Sequence, residues 1–253
     1  MLPPIATLQV TLIATLLGLA CGQSDSGAKA TSRAPDGTVP AAAAATPPRG
    51  TDSAAGLLSP AAQRGSPDDS LLQRADRGRI RGDEHATLWV IEASDFQCPY
   101  CKIWHDSSFA RLVHDYVDPG RVRVAYINYP LPQHQNAMPA AEAAMCASAQ
   151  DKFWPMHDSL FAAQHRWETL PNAMPAFDSM AARMSADMTA WRRCMAEHLA
   201  RRLIDADYER ARNAGVKSTP SFFVGDQRID GAQPYSVFRG VIEAQLAKAG
   251  GRR

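Results

Sequence analysis

The sequence predicts a mixed α/β fold, a central sheet flanked by helices with an all-helical block inserted in its middle. Three observations carry that expectation. An apolar strand near residue 90 runs straight into a helical pattern and then a second strand. A stretch of about 136–214 has helical features and no strand signal. Two short strands and a last helix follow it.

Each element has a local reason. Thr87 to Ala93 (Thr-Leu-Trp-Val-Ile-Glu-Ala) is apolar and β-branched enough for a buried strand. A helix should begin at Cys98 or Pro99, with Phe109, Leu112, Val113 and Tyr116 at i, i+3, i+4, i+7 as its buried stripe. Asp118-Pro119-Gly120 turns the chain, and Arg121 to Tyr129, with Val122, Val124 and Tyr126 alternating, reads as the second strand. A helix joining two strands implies a parallel pair. Within the helical stretch, Ser185 is a candidate N-cap for a helix bearing Met188, Trp191 and Met195. Ser221-Phe222-Phe223-Val224 resumes the sheet, Gly225-Asp226 turns it, and Arg228 to Asp230 pairs back as a hairpin. Pro234 suits the first turn of a final helix lined by Tyr235, Phe238, Ile242 and Leu246.

The N-terminal third has a different character. Leu8 to Ala20 is apolar but too short for a bilayer span and reads as the core of a signal peptide over residues 1–20. Gly18-Leu19-Ala20-Cys21 resembles a bacterial lipobox, which would make Cys21 a lipidated N-terminus held to a bilayer. No Lys or Arg precedes the apolar run, and Gly18 stands where that motif usually has Leu. Residues 21–74 are rich in Ala, Pro, Ser and Gly and read as a disordered tether, with a typical span of roughly 40 Å. The globular domain is expected over 75–250. A formal net charge of +1 and scattered charges exclude the basic excess of a nucleic-acid binder.

The five cysteines, at 21, 98, 101, 146 and 194, carry most of the chemistry. Asp95-Phe96-Gln97-Cys98-Pro99-Tyr100-Cys101 joins a buried strand to a helix N-terminus. There the unpaired N–H groups and the helix dipole favour a thiolate, so Cys98 is the candidate nucleophile. Cys101, one turn further in, is the candidate resolving thiol, and Pro99 presets φ at the helix start. A structural zinc would want four ligands, although His105 lies four residues past Cys101. A Cu(I) site on the two sulfurs is the stronger metal alternative, but no methionine cluster adjoins Cys98. Redox exchange itself requires no cofactor and no metal. Thr219-Pro220, just before the third strand, is a candidate cis peptide whose Thr219 backbone would be open to an incoming peptide.

From Gly82 onward the chain resembles the DsbA-like branch of the thioredoxin superfamily. The resemblance rests on ordered matches: Asp95 to Cys101, Tyr129-Pro130-Leu131, Lys152-Phe153-Trp154 with His157 and Phe161, Ser218 to Val224, and Gly231 to Tyr235 with Phe238. It implies a thioredoxin fold with an inserted helical domain, a nucleophilic first cysteine and a cis proline facing it. It also places Glu92 where the family often has a buried acid able to move a proton to or from Cys101. The alternative is a solvated acid on a strand face. Some relatives carry Arg or Lys near Ile127, and this chain does not. Cys146 and Cys194 are an even pair in an exported protein, which favours a structural disulfide; two buried free thiols are the alternative. Trp154, Trp167 and Trp191 read as packing residues.

The expected function is an exported, periplasmic or cell-envelope thiol–disulfide oxidoreductase. Its partners would be unfolded or partly folded exported proteins and a redox protein that resets it. Tyr100, unlike a histidine there, cannot be cationic, so the direction of exchange stays open. A Cu(I) metallochaperone on the same sulfurs and a thioredoxin-like binding module are the alternatives.

Overall fold

The structure is a computed structural model that describes residues 67–250. The stretch read as a signal peptide, Cys21 and most of the stretch read as a tether lie outside the described residues. The end of that stretch does not. Pro67–Gly78 is a helix, α1, with acidic residues in its first turn, and it places Leu72 and Ala75 in the core. Its apolar residues are few but fall on one face, so packing supplies what composition did not.

A five-stranded sheet has the order β1-β3-β2-β4-β5. The central strands β2 (Leu88–Ser94) and β3 (Val122–Asn128) run parallel. β4 (Ser221–Val224) is antiparallel to β2, and β5 (Gln227–Asp230) closes the hairpin. Gly225, at the head of the two-residue turn, has φ +61, and a Cβ there would meet the Gln245 side chain at 2.8 Å. β1 (Ile80–Arg81) pairs antiparallel with β3. Two residues carry no pattern that sequence reasoning can detect.

Between β2 and β3 the helical run covers residues 99–117. It comprises α2 (Pro99–Trp104), a π turn His105–Phe109, α3 (Ala110–Leu112) and a second π turn Val113–Val117. The stripe Phe109, Leu112, Val113 and Tyr116 is buried, as its spacing predicts. Together with Trp104, Phe222, Phe238 and Ile242 from α10 (Tyr235–Gly250), it covers one face of the sheet.

The helical block comprises α4 (Ala137–Ser148), α5 (Phe153–Ala162), α6 (Gln164–Trp167), α7 (Met174–Arg183), α8 (Met188–Ala196) and α9 (Arg201–Asn213). The N-cap of α8 is Asp187, not Ser185. The Asp187 carboxylate accepts from the N–H groups of Thr189 and Ala190, while Ser185 has φ +55 and belongs to the preceding turn. α9 is more than the end of an insertion. Its Leu203 and Ile204 pack into the helical core, while Tyr208 and Ala211 cover the second face of the sheet with Ile91, Ile127 and Phe223. Trp167 and Trp191 are fully buried in the block, and Cys146 and Cys194 are joined by a disulfide between α4 and α8.

Candidate active site

The strand-to-helix junction is held by side chains from three directions. The Cys98 N–H donates to the Asp95 carbonyl (3.0 Å), and the Cys98 carbonyl accepts from Lys102 N–H (3.2 Å) to open the helix. The Asp95 carboxylate is buried. It accepts from the N–H of Gln97 (2.7 Å) and of Leu131 (2.9 Å) and meets His134 Nδ1 at 2.7 Å. Burial raises the Asp95 pKa, with these partners pulling the other way. From the helical block, the Gln164 amide donates to the carbonyls of Phe96 (2.7 Å) and Cys98 (3.1 Å). Gln97 Nε2 donates to the Glu168 carbonyl (2.8 Å) and its Oε1 accepts from Asn136 N–H (2.7 Å). The Cys98 backbone is therefore fixed by both the sheet and the helical block. Neither the carboxylate of Asp95 nor Gln164 was singled out from sequence, because their partners are 36 and 66–68 residues away.

Both thiols are free and buried. Cys98 is the N-cap of α2, and Pro99 opens its first turn. The Cys98 Sγ lies 3.5 Å from the Thr219 carbonyl, and the Thr219–Pro220 peptide is cis. The hydrogen bond from Cys101 lowers the Cys98 pKa to about 6, with Thr219 and the N–H groups of Cys101 and Tyr100 adding to it against partial burial. Cys101 moves the opposite way, well above an ordinary thiol, through burial, then Cys98, then Glu92. One sulfur is thus ready as thiolate and the other is held as thiol.

Glu92 sits in the middle of β2, paired with Tyr126 and Phe222. By strand alternation it shares its face with Leu88 and Val90, the face covered by the cysteine-bearing helix. It is 1 % exposed, so the solvated-acid alternative is excluded. Neither carboxylate oxygen has a hydrogen-bond partner among the described residues. Burial raises its pKa to about 7, with Ser94 and His105 opposing and Cys98 adding to the rise. Ile127 is buried. Around the site, Tyr100 and Ile103 leave 61 % and 52 % of their surface exposed on the first helical turns, apolar surface close to Cys98 in the chain.

No third cysteine joins Cys98 and Cys101 among the described residues, since Cys146 and Cys194 are bonded to each other. The four-ligand zinc alternative therefore has no second sulfur pair. Among the described residues His105 makes no hydrogen bond to either thiol, and it lies near enough to Glu92 to lower its pKa. It packs with His157 and contacts Asp158, a grouping that sequence spacing did not reveal.

Residues 74–244 match the thioredoxin family. The chain belongs to that family. Among curated relatives, a Na(+)/H(+) antiporter NhaA 3 of Salinispora tropica is 34% identical over 185 residues, covering 70% of this chain and 27% of that one. The chain therefore spans about a quarter of the length of such relatives. The disulfide bond formation protein D of Bacillus subtilis is 23% identical over 172 residues, covering 66% of this chain and 76% of that protein. The crystal structure of oxidised BdbD from Bacillus subtilis superposes with a TM-score of 0.61 at 22% identity, covering 68% of this chain and 94% of that one. The described residues thus form a DsbA-like thioredoxin fold, a mixed sheet with a helical block between β3 and β4.

Proposed function

We propose that this thioredoxin-family protein is an exported thiol–disulfide oxidoreductase that oxidises secreted or periplasmic proteins through Cys98 and Cys101. The observation that carries the reading is the opposed pair of thiol pKa values, Cys98 down to about 6 and Cys101 up, beside the Thr219 carbonyl. The similarity to proteins named for disulfide bond formation supports it.

With the pair oxidised, a substrate thiolate attacks the Cys98 sulfur. The Cys98–Cys101 bond breaks, a substrate–Cys98 disulfide forms, and Cys101 leaves as a thiolate that takes a proton. Glu92, titrating near neutrality, is the proposed proton carrier. A second substrate thiolate then attacks the substrate sulfur of the mixed disulfide. The substrate gains its disulfide, and Cys98 departs as a stabilised thiolate. Two electrons have moved from substrate to enzyme, and a redox protein of the thiol-oxidant class must remove them. A thiolate favoured at Cys98 stabilises the reduced form, which makes the protein an oxidant. The Thr219 backbone beside the cis Pro220 and the exposed Tyr100 and Ile103 suit an extended, partly unfolded substrate. Lipidation at Cys21 would tether the domain to the envelope membrane.

The test is the reduction potential of Cys98/Cys101 in glutathione buffers, read by mass-resolved alkylation. A value near or above about −220 mV with Cys98 alkylated below neutral pH supports the oxidase. A far lower value indicates a reductase. A pair that never oxidises would leave the copper alternative in its place.

A further inference from the structure

A second constellation of reactive side chains lies outside the thiol pair. His105, on the π turn after α2, and His157 and Asp158, on α5, bring one imidazole nitrogen each and one carboxylate oxygen within 4.8 Å of one another. Both imidazoles aim at a single atom: Asp158 Oδ1 is 2.8 Å from His157 Nδ1 and 3.2 Å from His105 Nε2.

We propose that His105, His157 and Asp158 form a binding site for a divalent transition-metal ion of the zinc type. Two neutral imidazoles and a carboxylate are the donor set such ions take in open three-residue sites. Around an ion held at about 2.0–2.2 Å, adjacent donors of a tetrahedral or octahedral set lie about 3.0–3.4 Å apart. The two edges at Asp158 Oδ1 are within a few tenths of an ångström of that span.

The surroundings hold the ligands in place. His105 Nδ1 is 3.1 Å from Asp106 Oδ1, so a carboxylate orients the ring and leaves Nε2 for the ion, the arrangement found behind metal-bound histidines. Asp106 is itself fixed by Lys102 at 2.7 Å. The His157 ring is fully buried and boxed by Phe96, Trp154 and Phe161. Its only hydrogen-bond partner among the described residues is Asp158, since Nε2 has none, so it ligates through Nδ1 with the proton on Nε2. The Asp158 side chain is 55 % exposed, which gives an ion a way in and leaves coordination positions for water.

The site is separable from the thiols, and the experiment uses that. In the full chain carrying Cys21→Ser, Cys98→Ser and Cys101→Ser no free thiol remains, so failure of the redox reading cannot affect the outcome. After chelation and dialysis, Co(II) is titrated by visible absorption and Zn(II) by calorimetry. The expected result is one ion per chain, with cobalt d–d bands and no thiolate charge-transfer band. Affinity should fall by at least ~10-fold in His105→Gln and Asp158→Asn and by about 10-fold in Asp106→Asn, with a change at the exposed His85, His85→Gln, leaving it unaltered. Binding that survives His105→Gln and Asp158→Asn overturns the proposal, as does no binding at all. A zinc-dependent rise in the melting temperature of the thiol-free chain is a second readout that does not depend on the ligand variants folding. No rise at saturating zinc likewise overturns it.

Discussion

The two cysteine pairs in the described domain are equally buried and chemically opposite. Cys98 and Cys101 expose 3 % and 0 % of their surface, Cys146 and Cys194 1 % and 2 %, so burial does not separate them. Their neighbours do. Cys98 caps a helix and faces the Thr219 carbonyl, and Cys101 lies under the influence of a buried carboxylate. Cys146 and Cys194, 48 residues apart, join two helices among alanine, methionine and aromatic side chains. Polar preorganisation suits the first pair to the exchange proposed for it, and an apolar setting leaves the second as a brace.

The sharpest break in that comparison is Cys98→Ser. Thiol–disulfide exchange with a reduced peptide should fall by at least ~10³-fold, as when an enzyme loses its nucleophile, while the melting temperature stays close to the parent's. Replacing the brace should do the reverse. Cys146→Ala with Cys194→Ala opens a crosslink over a separation of 48 residues, and the loop-closure entropy puts the loss near ~4 kcal/mol in urea unfolding. The folded fraction should still exchange at the parent's rate. Exchange that vanished in folded double variant would show that the second pair is a reagent too.

A third substitution asks whether the carboxylate belongs to the reagent. Glu92 has a folded pKa of about 7 against 4.5 for the free group. An acid whose pKa is raised by folding contributes most below pH 4.5 and loses that contribution as pH climbs to 7. Glu92→Gln should therefore be more stable than the parent above pH 7, by up to ~3 kcal/mol, with the gain shrinking on acidification. It should also slow formation of the mixed disulfide by ~10²-fold if the carboxyl supplies the proton that Cys101 takes as it leaves. A stability gain with no change in rate would make Glu92 only a cost to folding. The smallest effect is a profile rather than a loss. Alkylation of Cys98 in the reduced active site should titrate near pH 6, and Cys101 should label only at much higher pH.

Much of this was legible in sequence because the signals are local. Cys98-Pro99-Tyr100-Cys101 brings its strand, its turn and its helix with it, and Thr219-Pro220 sits directly before its strand. Boundaries were less legible where composition misled. α1 reaches back to Pro67 from a polar stretch because Leu72 and Ala75 find a core made by the helical block. The N-cap fell to Asp187 because its carboxylate reaches two amide protons and Ser185 lies in the turn before it.

By itself, then, the sequence determined the α/β order, the placing of the Cys98/Cys101 pair at a strand-to-helix junction and the resemblance to a DsbA-like fold, since each depends on residues near one another in the chain. The tertiary structure alone decided what surrounds that pair. It buried Glu92, brought Gln164 and the Asp95–His134 pair onto the turn that carries Cys98 and set His105 against Asp158, 53 positions away. The physical reason is that pKa values and ligand geometry depend on desolvation and on distances of a few ångströms between segments that only packing brings together.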